Sequence, residues 1–331
     1  MNALVTGAGG FLGLYIVERL VARGDRVRAF CRRSHAELDA LGVETVCGDL
    51  RDREATVAAC RGMDVVFHVG GVVGMGGRWR DYYGINTLGT YHVVEGCRVH
   101  GVGRLVFTSS PSVIFDGTDQ EGVDESVPYP RRFLAPYPRS KALAERHVLE
   151  ANGSGGLLTC ALRPHLIWGL RDPHLIPRLL AQARSGRLRR IADGTNRIDT
   201  VYVENAAAAH LQAADALEPG SPVAGQAYFI SQGEPVNCWD WINQILAMAD
   251  LPPIRKSLSF PAAWMLGGLF EGLYGLLRFQ GDPPMTRFLA AQLSTSHYFD
   301  ISRARRDFEY RPTVSTEEGM RRLARDLARQ K

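Results

Sequence analysis

The sequence lacks the motifs that mark several common enzyme classes. It contains no G-x-x-x-x-G-K-[ST] loop, no H-E-x-x-H pair and no G-x-S-x-G elbow. A P-loop nucleotide hydrolase, a zinc protease of that type and an α/β-type serine hydrolase therefore find no support. Its six cysteines form no C-x-x-C pair, and several lie in apolar runs. We expect buried, reduced thiols rather than disulfides, and no bound metal.

The chain has little excess of charge of either sign. Its 39 basic and 35 acidic residues give 39 − 35 = +4, and the basic residues are spread along the sequence. The C-terminal arginines from Arg321 to Arg329 have the spacing of a solvent-exposed helix face rather than of a nucleic-acid surface. We therefore expect no nucleic-acid partner. A hydrophobic content of 45% with 22% charged residues is typical of a globular protein.

Long hydrophobic runs are scarce as well. A strand-like run begins at Asn2 without a basic, apolar leader, so we expect a cytoplasmic protein. One segment, 260–279, is strongly apolar, with Glu271 and Arg278 as its only charges and with Pro261 near its start. We expect a buried helix beside an apolar substrate cavity. The alternative is a peripheral membrane contact, whereas a spanning helix fits this short, glycine-rich segment less well.

The first half alternates short apolar runs with segments of helical period. This alternation predicts an α/β fold, a Rossmann-like, doubly wound parallel sheet with helices on both faces. The predicted strands are residues 3–6, 27–31, 43–47, 65–69, 105–108 and 157–162.

After the sixth strand the alternation ends, and the chain becomes a mixture of loops and helices. We predict that 1–163 and 197–221 form the dinucleotide-binding domain, the second range returning to the main sheet as a strand and a helix. We assign 164–196 and 222–331, including a strand pattern at 227–231, to a smaller substrate-binding region interleaved with that domain.

A glycine-rich turn, Gly7-Ala-Gly-Gly10-Phe11-Leu12-Gly13, follows the first predicted strand and opens the first helix. Glycine permits a tight turn and lets backbone amides approach a pyrophosphate, which the helix N-terminus also attracts. The second strand ends in Cys31-Arg32-Arg33 without an acid. This favours the 2′-phosphate of NADP(H) over NAD(H). Asp49 and Leu50, after the third strand, are expected near the adenine.

Tyr137 and Lys141 are four residues apart and would share one face of a helix. A free phenol has a pKa near ~10, and a nearby ammonium should lower it, so that Tyr137 can transfer a proton. Ser110 follows the fifth strand, where its hydroxyl could hold the reacting oxygen. Together with the glycine turn, this combination indicates an enzyme. A non-catalytic NADP-sensing protein would need the turn but not the three side chains.

On these residues, with Gly48-Asp49-Leu50, Asn86-Thr-Leu-Gly-Thr90 and Arg163-Pro164, the chain resembles extended short-chain dehydrogenases/reductases of the 3β-hydroxysteroid dehydrogenase-like branch. The resemblance covers nearly the whole chain. It implies hydride transfer between a nicotinamide and a carbinol carbon, with Tyr137 passing the proton and Lys141 also holding the ribose. It further implies that Asn86 positions the active-site helix, that Pro164 contacts the cofactor and that the protein is a homodimer. His68-Val-Gly-Gly71 departs from the alanine-rich turn of many relatives.

Other stretches resemble two groups within this branch. Residues 79–83, 228–235 and 282–288 resemble reductases of 2-alkyl-3-oxo acids, and 112–117, 169–173 and 296–298 resemble decarboxylating dehydrogenases of sterol carboxylates. Both substrates are bulky, apolar carboxylic acids with a 3-oxo or 3-hydroxy group, and we favour the first. A place in a lipid-pathway complex is compatible with either. The candidate cations for the substrate carboxylate are Arg163, His165, Arg171 and Arg197.

Overall fold

A computed structural model of the chain describes residues 1–74, 76–277, 279 and 281–329. The strands in chain order are β1 (Asn2–Thr6), β2 (Arg26–Cys31), β3 (Glu44–Cys47), β4 (Val65–His68), β5 (Arg104–Thr108), β6 (Gln120–Val123), β7 (Leu158–Pro164), β8 (Ile167–Trp168), β9 (Arg190–Ile191), β10 (Arg197–Ile198), β11 (Val201–Tyr202), β12 (Gln226–Ile230), β13 (Val236–Asn237), β14 (Ser257–Leu258) and β15 (His297–Phe299).

The α-helices in chain order are α1 (Phe11–Ala22), α2 (Ala36–Ala40), α3 (Arg53–Ala59), α4 (Trp79–Tyr82), α5 (Gly89–His100), α6 (Pro136–Glu150), α7 (Leu175–Arg184), α8 (Val203–Ala216), α9 (Cys238–Met248), α10 (Phe260–Leu277), α11 (Arg287–Gln292), α12 (Ser302–Phe308) and α13 (Thr316–Arg329). A π-helical turn (Tyr83–Leu88) joins α4 to α5, and two 3₁₀ turns (Pro111–Ile114 and Ser154–Gly156) follow β5 and α6.

Seven parallel strands form the main sheet, in the order β12-β7-β5-β4-β1-β2-β3. All six strands predicted from the apolar runs belong to it, and the Rossmann-like fold class is confirmed. Strand β4, Val-Val-Phe-His, is buried at every position, as a sheet covered on both faces requires. The strand order reverses between β1 and β4, so a crevice opens at their carboxyl ends.

Helices cover both faces of this sheet. On one face α1 contributes Ile16, Val17 and Leu20 to a core shared with the alanine-rich helix α8, whose small side chains let the two helices lie close together. On the other face, buried side chains of α3, α5 and α6 form a second core. All six cysteines are free thiols, and five are buried while Cys47 is exposed.

Two strands lie in other sheets than the sequence predicted. The pattern at 227–231, assigned to the substrate-binding region, is β12 and forms the edge of the main sheet beside β7. The strand expected from 197–221 is β11, and it pairs with β8 instead. A run of apolar residues indicates a strand but does not identify its neighbour, which explains both errors. The division of the chain into two regions stays a prediction.

The C-terminal half builds a separate core around an aromatic cluster. The Trp168 ring meets those of Tyr202 and Trp241 edge-on, at centroid distances of 5.2 and 5.7 Å. A four-stranded sheet, β13-β10-β15-β6, links this half to the first, because β6 precedes α6 in the chain and pairs with β15. Strands from the two halves of the chain therefore share one sheet.

Helix α10 corrects the expectation of a buried helix at 260–279. Only Ala263 and Gly267 are buried along it, whereas Leu269 and Leu276 are 65% and 80% exposed. The two buried residues are small, and many of the large apolar side chains of α10 point outward. Arg278, named with this segment, lies outside the described residues. Within the described ranges, no helix combines the length and apolarity needed to cross a bilayer.

Candidate active site

The glycine turn after β1 lies against the turn after β4. Gly7 has φ +68°, and a Cβ there would come 2.7 Å from the Cα of Gly70. A Cβ at Gly13 would come 2.2 Å from the carbonyl oxygen of Gly7, so α1 also needs glycine to pack on the turn. Both positions therefore exclude a side chain. The close approach leaves the crevice floor as bare backbone, as a dinucleotide site requires.

Helix α1 begins with free backbone amides. Gly10 is its N-cap and supplies no side-chain cap, and the first-turn N–H groups of Phe11 and Leu12 have no acceptor within the helix. These donors and the helix dipole form a site for an anion. Leu50 lies against the opposite side of the crevice, with its Cδ1 2.8 Å from the position of a Cβ on Gly70. These residues fit a bound dinucleotide pyrophosphate.

The predicted cofactor residues at the strand ends lie along the same edge of the main sheet. Arg32 is exposed directly after β2, and Pro164 is the last residue of β7. Asp49 accepts two hydrogen bonds from the Arg51 guanidinium, of 3.0 and 2.6 Å, and this interaction holds the pKa of its carboxyl below the usual range. Asp49 is thus an ionised, anchored carboxylate after β3. The cofactor contacts themselves stay predictions.

Ser110, Tyr137 and Lys141 come together at the carboxyl end of β5. Ser110 caps the 3₁₀ turn after β5 and accepts a hydrogen bond of 3.2 Å from the Ser112 amide. Lys141 projects from α6 and donates a 2.5 Å hydrogen bond to the carbonyl of Thr108, with its ammonium 4.0 Å from the centroid of the Phe107 ring. The catalytic roles of the three residues stay predictions.

The electrostatics of this group correct one expectation. Burial raises the pKa of Tyr137, and the hydrogen bond with Ser110 opposes that rise, whereas we expected the Lys141 ammonium to lower it. The ammonium instead points at the Thr108 carbonyl. Burial lowers the pKa of Lys141 itself from 10.5 to about 7, against an opposing effect of Glu145. Tyr137 is therefore a protonated phenol at neutral pH.

Asn86 fastens the active-site helix to the turn after β4. It lies in the π-helical turn, a feature often found at functional sites. Its Oδ1 accepts from the Val72 amide at 2.7 Å, and its Nδ2 donates to the Val72 carbonyl and to Ser140 Oγ, both at 3.0 Å. Ser140 Oγ in turn donates to the carbonyl of Tyr137 at 2.8 Å. This geometry fits the positioning role that the family resemblance implies.

His68, noted only as a departure in sequence, lies at the centre of a buried hydrogen-bond chain. Its Nδ1 is 2.6 Å from Thr6 Oγ1 and its Nε2 is 2.9 Å from Thr90 Oγ1. Thr6 Oγ1 also accepts from the Gly70 amide, and Thr90 Oγ1 donates to the Asn86 carbonyl. The chain therefore connects the end of β1 to the turn that carries Asn86.

Only one arrangement of protons satisfies these bonds. Thr90 uses its single hydrogen on the Asn86 carbonyl, so its oxygen must accept from His68 Nε2–H. His68 Nδ1 then accepts from the Thr6 hydroxyl. The imidazole is neutral, in agreement with burial and the charge of Lys141, which lower its pKa to about 3. No sequence pattern identified this hydrogen-bond chain, because the two threonines are far from His68 along the sequence.

The four residues predicted as candidate cations for the substrate carboxylate make other contacts in the structure. Arg163 forms a buried, two-pronged ion pair with Glu145, at 2.6 and 3.0 Å. His165 is buried, and burial together with His297 puts its pKa well below the usual range, so it carries no charge at neutral pH. Arg171 pairs with Glu18, and Arg197 donates to the Pro235 carbonyl. Arg163 and Arg171 are therefore paired with carboxylates and His165 is uncharged, whereas a role of Arg197 in binding the substrate carboxylate stays a prediction.

The fold and this site define an NAD(P)-dependent oxidoreductase of the extended short-chain type. Residues 4–261 match the model of the 3-beta hydroxysteroid dehydrogenase/isomerase family, and the chain belongs to that family. It is 50% identical to the 2-alkyl-3-oxoalkanoate reductase of Stenotrophomonas maltophilia, over 98% of each chain. It is 34% identical to the decarboxylating sterol-4-alpha-carboxylate 3-dehydrogenase of Mus musculus, over 98% of this chain and 90% of that one.

A solved structure of the UDP-glucose 4-epimerase of Thermus thermophilus in complex with NAD has a similar fold. Its TM-score is 0.76, with 26% identity and 99% of both chains covered. The likeness agrees with the NAD(P) dependence of the family.

We expect Lys141 of the cofactor-free protein to titrate near pH 7. Because its folded-state pKa is lowered, the unfolding free energy should fall as pH drops from about 10.5 to about 7 and then level off. The chain has three lysines, Lys141, Lys256 and Lys331, so NMR titration of their ε-carbons gives few signals. The signal near pH 7 should vanish in Lys141→Arg. A titration of Lys141 near its ordinary value would contradict the prediction.

We expect His68→Leu to destabilise the protein by about 2–5 kcal/mol, because it leaves two buried threonine hydroxyls with unmade hydrogen bonds. It should also lower kcat, because the hydrogen-bond chain through His68 extends to the π-helical turn that carries Asn86. His68→Gln, which can both donate and accept, should recover part of each loss, and His100→Leu is the control. Urea denaturation and steady-state kinetics measure the two effects. If His68→Leu were as stable as the wild-type protein, the hydrogen-bond chain through His68 would not be formed.

Proposed function

We propose that this protein is an NADPH-dependent reductase of 2-alkyl-3-oxo acids, producing the 3-hydroxy acid. The observation that carries the proposal is the cluster of Ser110, Tyr137 and Lys141. It occurs in a chain that is 50% identical to a 2-alkyl-3-oxoalkanoate reductase. A protonated Tyr137 suits reduction, because a ketone oxygen needs a proton as it becomes a hydroxyl. The oxidative direction would instead need Tyr137 as a base.

Each residue of the cluster has a distinct task in this reaction. NADPH held by the glycine turn and Lys141 would supply the hydride that reduces the carbonyl carbon, and would be oxidised to NADP⁺. Tyr137 donates its proton to the carbonyl oxygen, while Ser110 holds that oxygen by a hydrogen bond. Lys141 binds the nicotinamide ribose and, when charged, stabilises the phenolate left on Tyr137. Asn86 holds α6 in position beside the crevice through its hydrogen bond to Ser140.

An apolar cavity at the start of α10 suits the body of such a substrate. It has a volume of about 400 Å³ and is lined by Leu134, Phe260, Pro261, Trp264 and Met265, with Asp116 and Gly117 at one side. Leu134 precedes Ala135, the N-cap of α6, and packs with Phe115 and Trp264. Alkyl chains placed there would bury apolar surface.

A second candidate function is the oxidation and decarboxylation of a sterol carboxylate. Its support is the 34% identity to an enzyme named for that reaction, and the same apolar cavity fits a ring system. The higher identity, 50%, to the 2-alkyl-3-oxoalkanoate reductase favours the reductase instead. A non-catalytic NADP-sensing protein is the remaining alternative, and nothing in its task would require the three clustered side chains.

The choice of NADPH over NADH is supported by the end of β2. Cys31 is followed by the exposed arginines Arg32 and Arg33, and no acid stands there to bind the ribose hydroxyls of NAD. Homodimerisation, a place in a lipid-pathway complex and a cytoplasmic location are proposals that rest on the family resemblance and on the sequence.

The proposed reaction is tested by following NADPH absorbance with a 2-alkyl-3-oxo acid. We expect oxidation of NADPH by the wild-type protein and a loss of at least a hundredfold in kcat for Tyr137→Phe, since general acid catalysis contributes about 10²–10⁴. NADPH binding, followed by fluorescence, should be retained in Tyr137→Phe. Tyr274→Phe is the matched control and should keep its activity.

Other outcomes identify the alternatives. Turnover only of a 4-carboxysterol with NADP⁺ or NAD⁺ would assign the decarboxylating dehydrogenase. Cofactor binding without turnover of either substrate, in wild type and Tyr137→Phe alike, would favour the sensing protein.

We expect Arg32→Ala to raise KM for NADPH about tenfold or more while leaving KM for NADH within about twofold, because a hydrogen bond to a charged group is worth about 1.5–3 kcal/mol. Arg325→Ala, on the distant helix α13, is the control. An equal change for the two cofactors, measured by steady-state kinetics, would assign the 2′-phosphate contact to another residue.

A further inference from the structure

Helix α10 presents a continuous apolar stripe to the outside. Met265, Leu269, Leu273 and Leu276 follow one another at steps of four, four and three residues, so they lie on one face. They are 69%, 65%, 40% and 80% exposed. Over these residues the stripe is about 17 Å long at 1.5 Å per residue. An exposed apolar surface of this kind marks a site of interaction.

The opposite face of α10 anchors the helix to the protein. A Cβ on Gly267 would lie 2.6 Å from the backbone of Thr286 and Arg287, so glycine is needed for this close packing. Glu271 accepts hydrogen bonds from the amide and from Nε of Arg287, both at 2.7 Å. The one acidic residue of α10 is therefore turned toward α11. The outer stripe contains no charge.

Basic side chains stand at the N-terminal end of the stripe. Strands β9 and β14 pair immediately before α10, with the Arg190 amide donating to the Lys256 carbonyl at 2.9 Å. Arg187, Arg190, Arg255 and Lys256 are all exposed. No acidic residue occurs in 173–192 or in 251–270. Asp172 and Asp193 flank the first range, Asp250 and Glu271 flank the second, and Asp193 interacts with Arg190.

We propose that α10, with the basic side chains of β9 and β14 beside it, docks on the surface of an anionic phospholipid bilayer. A helix with an uncharged apolar stripe can sink into the boundary between headgroups and acyl chains while remaining parallel to the membrane. Adjacent arginine and lysine side chains are attracted to anionic headgroups. The exposed arginine and lysine side chains beside the stripe complement an anionic surface in charge, which favours such a surface as the occupant.

This docking would open a route for an apolar ligand. Phe260, Pro261, Trp264 and Met265 belong to the first turns of α10 and also line the cavity of about 400 Å³. A bilayer in contact with the stripe would lie next to the mouth of that cavity, so a lipid-like molecule could pass between them without crossing water. The docking itself goes beyond the proposed reaction and does not depend on it.

The test is co-sedimentation of the full chain with sucrose-loaded vesicles. Vesicles of phosphatidylcholine with 30% phosphatidylglycerol, about a third anionic lipid, should bind the protein at low salt, whereas pure phosphatidylcholine should bind it at least tenfold more weakly. Leu269→Glu should lower binding at least tenfold. Val99→Glu is the matched control, because Val99 is 63% exposed on α5, close to the 65% of Leu269, and should bind like wild type.

A second variant tests the basic side chains. Arg190→Gln combined with Lys256→Gln should weaken binding to the anionic vesicles and flatten its decline with salt, because screening acts on the charges that this variant lacks. Reduction of a short, water-soluble 3-oxo acid should be unchanged in this variant and in Leu269→Glu. Failure of that activity in wild type would speak against the proposed reaction alone.

Two results would overturn the docking proposal. One is equal binding of wild type and Leu269→Glu to the anionic vesicles. The other is an absence of vesicle binding together with a dimer, seen by analytical ultracentrifugation, that Leu269→Glu dissociates. The second result would assign the stripe to an interface between copies of the chain.

Discussion

The contact between the turns after β1 and β4 is the constraint on which the site depends. With Gly7 and Gly70 in backbone contact, no side chain can stand at the reversal of the strand order. The same contact brings the Gly70 amide to Thr6 Oγ1 and so begins the hydrogen-bond chain through His68. One close approach thus shapes the cofactor crevice and, through Asn86, the placement of the helix with Tyr137.

Burial controls the charge of the reacting groups. It raises the pKa of Tyr137 and lowers that of Lys141, so each group is shifted toward its uncharged form. Nearby, Glu145 and Arg163 retain their charges because each compensates the other across two hydrogen bonds. The site therefore combines a proton-transfer pair, in which Tyr137 is protonated and Lys141 titrates near neutral pH, with a buried ion pair that belongs to the scaffold.

Sequence reasoning succeeded where the controlling interactions are local. The apolar runs of six main-sheet strands and the four-residue spacing of Tyr137 and Lys141 can be read directly from neighbouring residues. It failed where distant partners decide the outcome. The Lys141 ammonium is directed by its hydrogen bond to the Thr108 carbonyl, and Arg171 forms an ion pair with Glu18 on helix α1. The neighbours of β11 and β12 are likewise set by the path of the whole chain.

The pairing of β6 with β15 has a consequence for how the protein forms during synthesis. Residues 120–123 leave the ribosome long before 297–299, and the edge strand β12 also emerges late. Until then, β6 has no β15 to pair with and β7 presents an open edge, which is a template for association with other chains. Native contacts between such distant segments form slowly. We therefore expect nascent chains that stop before β12 to be aggregation-prone and to occupy chaperones, however stable the finished protein is.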